Sequence, residues 1–326
     1  MIVKKYEKSL KLWQLEALDR RLAPLHPEKG RVQKSLKNKQ AGAKGEKEIS
    51  YPLRFLDDRK YLILHNLRIA DEQGFFQIDT LMLSAKYILI LEVKNWYGTV
   101  IFGENGQVTR INDENKEDGF ENPNSQAKLQ RHRLQRWLRL QCDMELPIKF
   151  FIVISFPSTI IKSATSQNLI PKEVIHKNDL YFKIEALSNE LTVNYMEKEQ
   201  LMNLAKRLMA AHKPQDENIL DRFRITKNEL IKGVFCPKCG AISMVRDKRK
   251  WLCSACKYVS IKAHLPSLFD YKLLIGDKIS NREARDFLQV DSPDVVKGIL
   301  KRENFSRIGE KSTRLYALKF NNNWNN

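Results

Sequence analysis

The chain has 326 residues, 42% of them hydrophobic and 29% charged, with a formal net charge of +18. This is the balance of an ordinary soluble globular protein with room for two or three domains. No apolar run approaches the roughly 20 residues that span a bilayer, and the start lacks the apolar core and cleavage site of a secretory signal, so a cytoplasmic protein is expected.

The positive excess is uneven. The first forty residues carry +7 and the stretch from Asp221 onward carries +11, together the whole imbalance. Such an excess points to a polyanion, either nucleic acid or an anionic membrane surface. A merely solubilising surface is the competing reading.

Residues 5–22 place Tyr6, Leu10, Trp13, Ala17, Leu18 and Leu22 at roughly helical spacing. They read as an amphipathic arm whose stripe docks on the protein rather than on a membrane. Residues 26–44 are basic, contain glycine and have little bulk, so they read as a mobile linker that could touch phosphate. Residues 1–40 are thus expected to be a basic helical arm and linker.

A compact domain is expected over residues 41–212. "GEKEISYPLRFL" reads as a helix interrupted at Pro52, and "KYLILHNLRI" as a strand ending in a turn at residues 71–74. "TLMLS" and "YILILEV" read as adjacent strands. "NWYGTVIFGENGQVTRI" reads as a hairpin with Asn105-Gly106 as its turn. Residues 124–142 form a helix capped by Asn124 or Ser125, and 148–156 a buried strand. Residues 160–187 alternate short strands and loops, and a helix over 196–212 closes the domain. The order predicts an α/β sandwich around a mixed sheet.

Asp79, Glu92 and Lys94 lie in or beside the two greasy runs. Charges on buried strands are costly unless paired or bound to metal. Glu92 and Lys94 are two apart and share a face. If Asp79 pairs opposite Glu92, the two carboxylates are about 5 Å apart at Cβ. A divalent cation with oxygen ligands at about 2.0–2.1 Å bridges that gap. Lys94 would then orient water or stabilise charge on a phosphate oxygen. An ordinary Glu92–Lys94 surface ion pair is the alternative.

The stretches "GEKE", "QIDTLML", "LEVKNWYGTV" and "NPNSQ" together resemble the NERD (nuclease-related) domain over roughly residues 41–155. That domain belongs to the PD-(D/E)XK nuclease superfamily. The resemblance implies a restriction-endonuclease-like mixed sheet flanked by helices, and magnesium or manganese held by Glu46, Asp79 and Glu92. It places the first acidic residue on the preceding helix, at Glu46 with Glu48 as fallback, and Gln126 in a supporting role. This chain has Ile78-Asp79 where the superfamily's namesake motif has Pro-Asp. Some nuclease-like domains are pure binding modules.

Four of the five cysteines, Cys236, Cys239, Cys253 and Cys256, give C-x2-C-x13-C-x2-C. In a reducing compartment that spacing means a tetrahedral, structural zinc site. It resembles a zinc ribbon over 233–262, after a linker at 213–232. Gly240 supplies the turn's backbone freedom. Cys142 reads as a buried or idle thiol. Arg246, Lys248, Arg249, Lys250 and Trp251 read as a basic tip with an aromatic for phosphate contact and base stacking, or as a plain solvated tip.

Residues 265–320 resemble a winged helix-turn-helix. Asn281 or Ser280 caps a first helix with Ala284, Phe287 and Leu288 inward. Ser292 caps a second, with Pro293 at its first position and Val295, Ile299 and Leu300 inward. Lys297, Lys301 and Arg302 suit a DNA groove, and Arg307, Lys311 and Arg314 suit phosphates beside it; a protein-interaction winged helix is the alternative. The expected function is a metal-dependent DNA endonuclease whose C-terminal units hold the DNA. The alternative is a non-catalytic nucleic-acid-binding or regulatory protein, and RNA stays open as the substrate.

Overall fold

The computed structural model describes residues 1–103, 106–165, 170–310 and 313–320. Asn105, expected at a hairpin turn, and Lys311, expected at a phosphate, lie outside the described residues. The chain divides into two compact units, residues 1–8 with 38–215, and residues 9–37 with 216 onward.

The chain opens with β1 (Ile2–Lys4), α1 (Leu10–Arg21) and α2 (Lys29–Glu48). The last corrects the expectation of a mobile linker. Glycines lower its helix preference, but most of its residues are good formers such as Lys, Gln, Ala and Glu. Val32 and Leu36, four apart on one face, are buried. So few apolar side chains leave a weak periodic signal.

The first unit continues with α3 (Ser50–Leu53), β2 (Leu62–Asp71), β3 (Gly74–Leu83), β4 (Ile88–Lys94), β5 (Thr99–Phe102), β6 (Val108–Ile111) and β7 (Glu117–Phe120). Then follow α4 (Pro123–Cys142), β8 (Ile148–Ile154), β9 (Ile160–Ser163), β10 (Val174–His176), α5 (Leu180–Glu190) and α6 (Lys198–Ala211). The central sheet runs β1-β2-β3-β4-β8-β10. Strands β2, β3 and β4 are antiparallel neighbours, whereas β8 pairs parallel to β4 and β10 parallel to β8. The sheet is therefore mixed.

One face, with Leu81, Ile88, Ile90, Ile152 and Ile154, is covered by Leu134 and Leu138 of α4 and Leu201, Leu204 and Leu208 of α6. The other, with Met82, Leu89, Leu91 and Val153, is covered by Leu53 of α3 and Leu180, Ile184 and Leu187 of α5. Cover on both faces explains why these strands are nearly continuously apolar. A mixed sheet flanked by helices is consistent with a restriction-endonuclease-like fold. A smaller sheet runs β7-β6-β5-β9.

Two local expectations are corrected. Residues 180–190 form a helix rather than strands and loops, burying Leu180, Ile184 and Leu187. α4 begins earlier than expected, at Pro123, because Asn122 caps it by accepting from the Asn124 amide at 2.9 Å.

The second unit contains α1, α7 (Ile219–Phe223), β11 (Met244–Asp247), β12 (Lys250–Cys253), β13 (Val259–Ser260) and α8 (His264–Leu274). It also contains β14 (Lys278–Ser280), α9 (Asn281–Leu288), α10 (Pro293–Arg302), β15 (Ser306–Ile308) and β16 (Leu315–Ala317). α1 is no loose arm. Arg21 is fully buried and donates to Asp270 Oδ2 at 2.9 Å and to the Gly233 carbonyl at 2.8 Å. Its guanidinium stacks over Phe235 and Phe287. The expected linker at 213–232 likewise has structure, burying Ile219, Leu220, Phe223, Ile225 and Leu230. One core joins Cys236, Trp251 and Cys253 to Leu268, Ile279, Phe287 and Ile299, so the expected boundary between 262 and 265 does not divide it.

Candidate active site and thiolate site

The paired ladder between β3 and β4 ends at Thr80↔Leu91, so the next residues, Asp79 and Glu92, stand opposite each other. The β2–β3 ladder pairs His65↔Thr80 and Leu67↔Ile78 and skips the residues between them, Asn66 and Asp79. Asn66 adopts a left-handed conformation with φ 52°. Asn66, Asp79 and Glu92 therefore form one row across three strands at a gap in the ladder. The Val93 amide donates instead to Asp79 Oδ2 at 3.0 Å.

Glu92 is 2% exposed. Lys94, on the same face, donates to Glu92 Oε1 at 2.7 Å and to Gln126 Oε1 at 2.9 Å. Gln130, one helical turn beyond Gln126 on α4, donates to Glu92 Oε2 at 2.7 Å. Two acceptors hold Lys94, which leaves one of an ammonium's three donor positions to serve a substrate.

Glu46 arrives from α2, and Gly45 determines how closely that helix approaches. A Cβ at Gly45 would lie 2.7 Å from Asn95 Cβ and 2.7 Å from Ser155 Oγ. Only glycine lets α2 lie against the ends of β4 and β8. Asn95 pins the helix by donating to the Ala41 carbonyl at 2.8 Å, and Ser155 donates to Asn95 Oδ1 at 3.0 Å. Glu48 faces elsewhere, accepting from Lys177 at 2.6 Å, so Glu46 is the acidic residue that reaches the row.

Burial, then the charges of Glu92 and Glu46, push the Asp79 carboxyl well above the usual carboxylate range, against the opposition of the Val93 amide and Lys94. Burial likewise pushes the Glu46 carboxyl up, with Lys39 and the Asn66 amide opposing and Glu92 adding to the rise. Tyr6 senses the same charges. Its phenol is pushed up to about 12, by burial first and then by Glu46 and Asp79. Three acidic groups share a desolvated corner with two lysines, Lys94 and Lys39.

That excess of negative charge fits a divalent cation, which would replace the protons the carboxyls otherwise retain. Gln130 Oε1 is also buried with no hydrogen-bond partner among the described residues, and a cation's water would satisfy it. The three carboxylates do not form a group with every ligand oxygen within 4.8 Å of the others. Lys94 and Gln130 instead engage both oxygens of Glu92.

The four cysteines do form such a group. Cys236 Sγ and Cys256 Sγ are 3.6 Å apart, and Cys239 Sγ and Cys253 Sγ are 3.7 Å apart. Zinc–sulfur bonds of about 2.3 Å in a tetrahedron separate sulfurs by about 3.8 Å, so the donor set fits zinc. The Cys256 amide donates to Cys253 Sγ at 3.3 Å, which favours the thiolate.

At the β11–β12 tip Lys248, Arg249 and Lys250 are exposed and Arg246 is half-buried. Trp251 corrects the expectation of a stacking aromatic. It is fully buried, its Nε1 donates to His264 Nδ1 at 3.1 Å, and its ring lies under Arg246. Strand alternation turns it inward, so it is unavailable to a base. Ser280 and Ser292 cap α9 and α10. Ala284, Phe287 and Leu288 face inward on α9, and Val296 rather than Val295 joins Ile299 and Leu300 on α10. Lys297, Lys301, Arg302 and Arg307 are exposed and Arg314 is half-buried.

Sequence reasoning missed Gln130, Gly45, Asn95 and Tyr6. Only Gln130 left a readable trace, its spacing of four from Gln126 on a helix. The others depend on contacts between distant segments.

Residues 41–155 match the family model described as NERD, nuclease-related domain. An uncharacterized protein of Bacillus anthracis is 26% identical to this chain over 154 residues, which is 47% of this chain and 70% of the relative. No solved structure matches the chain. Among the described residues no helix is long and apolar enough to cross a membrane.

Proposed function

We propose that the nuclease-related domain makes this chain a metal-dependent deoxyribonuclease. The observation that carries the reading is the row of Asp79 and Glu92 beside Lys94, with the Asp79 carboxyl held well above its usual range by burial and by Glu92 and Glu46. Asp79, Glu92 and Glu46 would hold magnesium or manganese. Bound there, the cation would lower the pKa of a coordinated water and offset phosphate charge. Lys94, fixed by Glu92 and Gln126, directs its remaining N–H at the attacking water or a phosphate oxygen. Gln126 and Gln130 act as positioning residues.

In this reading the second unit binds DNA as a zinc ribbon and winged helix. α10 presents Lys297, Lys301 and Arg302, the β15–β16 hairpin supplies Arg307 and Arg314, and the ribbon tip supplies Lys248, Arg249 and Lys250. Four free cysteines at zinc spacing suit a reducing, cytoplasmic setting.

The competing reading, a binding module that does not cut, is favoured by Lys94 and Gln130 engaging both oxygens of Glu92. Calorimetric titration of manganese into the full chain and into Glu92→Gln separates the two, read together with nicking of closed circular DNA. Metal binding lost in the variant, with nicking only by the wild type, supports the nuclease. DNA binding without nicking, indifferent to the metal, supports the module.

A further inference from the structure

The first unit carries an aromatic groove that the proposed chemistry does not use. Tyr51 and Phe55 of α3 and Tyr181 and Phe182 of α5 line it with Lys177 and Asn178, enclosing ≈ 550 Å³. Tyr51, Phe55 and Phe182 are 67%, 59% and 68% exposed. The rings meet edge to face, Tyr51 with Phe55 at 5.2 Å and Tyr181 with Phe182 at 5.3 Å, so neither pair stacks face to face. Exposed aromatics grouped this closely mark a binding surface.

Two observations identify the occupant. The first is charge. Lys177 bonds Glu48, and Lys44 and Lys47 act on the same carboxylate, whose pKa they hold down after Lys177. Lys177 lines the groove and shares Glu48 with the exposed Lys44 and Lys47, so lysines outnumber glutamate at this rim. The second is position. Lys94, Ile154 and His176 are register partners on β4, β8 and β10, so the segment beginning at Lys177 lies two strands from Lys94, about 10 Å across the sheet. The groove is on the face covered by α3 and α5, opposite the α4 face on which Lys94 meets Glu92 and Gln126, and shares their end of the parallel strands.

We propose that this groove is a stacking platform for unpaired bases of a single-stranded nucleic acid, at the strand end it shares with the carboxylate site. Exposed ring faces bind every base type, and the lysine rim follows the phosphates. Duplex DNA keeps its bases stacked internally and gains nothing from the rings. The inference takes its ligand class from the nuclease reading and adds a preference for single strands or frayed ends.

The test is equilibrium binding, without added magnesium or manganese, of a fluorescent oligothymidylate of about twelve nucleotides, and of its duplex with oligodeoxyadenylate. The proteins are the full chain, Phe55→Ser, Phe182→Ser and Phe182→Tyr. We expect the serine variants to lose about tenfold or more in single-strand affinity, Phe182→Tyr to retain it, and duplex affinity to stay level. Unchanged single-strand affinity, or an equal loss for both ligands, overturns the proposal. So does a wild type that self-associates through these rings, with monomeric serine variants that bind the oligonucleotide normally. Failure of the nuclease reading is separable. Asp79→Ala nicking DNA as well as wild type would remove the catalytic assignment, while a single-strand-selective loss in the serine variants would still support the groove.

Discussion

Asp79 is the residue on which the proposed chemistry turns. Its folded-state pKa is raised, so the metal-free native state prefers it protonated. The stability this confers is present below the unfolded value near 3.9 and is lost as pH rises through the folded value. The metal-free first unit should therefore lose stability between acid and neutral pH, and Asp79→Asn should flatten that profile. Manganese affinity should run the other way, rising with pH as protons leave Asp79 and Glu46. Melting curves and calorimetry across pH check both, and flat profiles for the wild type would contradict them. That Glu92 and Lys94 share a face was legible in the sequence, because strand periodicity fixes it; the place of Asp79 opposite Glu92 depended on the strand register. Trp251 was misread because a basic, aromatic hairpin looks the same whether its ring turns out or in; the partner at His264 decides it.

At the scale of elements, α2 shows where local reading stops. Its glycines and lysines suggest a linker, yet Gly45 fits it against Asn95 and Ser155. Gly45→Ala should force α2 away from β4 and β8 and withdraw Glu46 from the row. We expect a cost of about 1–3 kcal/mol, the usual range for overpacking, and loss of manganese binding in a protein that remains folded. Gly42→Ala is the control, since a Cβ there meets nothing within 4 Å. Equal manganese affinity in the two variants would remove Gly45 from the account. The central strands, by contrast, were readable as adjacent and buried, because continuous apolar runs follow from cover on both faces. β1 and β7 are too short or too polar to leave such a trace.

Across the whole molecule, the +18 charge frames the function without locating it. The thiolate site belongs to a core that also holds Ile279, Phe287 and Ile299. Removing zinc with a chelator should therefore melt helices α9 and α10 as well as the ribbon, and weaken DNA binding in proportion. Circular dichroism and oligonucleotide binding before and after chelation check this; unchanged helix content would show that the core stands without metal. The contribution of phosphate contacts should appear as a steep fall in affinity with salt.

The central claim is that Asp79, Glu92 and Lys94 cut phosphodiesters with a divalent cation. Its most direct test compares identically purified wild type, Asp79→Ala and Lys94→Ala on single-stranded, duplex and branched DNA, each with and without magnesium. The account predicts cleavage by the wild type in magnesium alone, and a loss of about a hundredfold or more in each variant. Equal residual cleavage in all three proteins would contradict it.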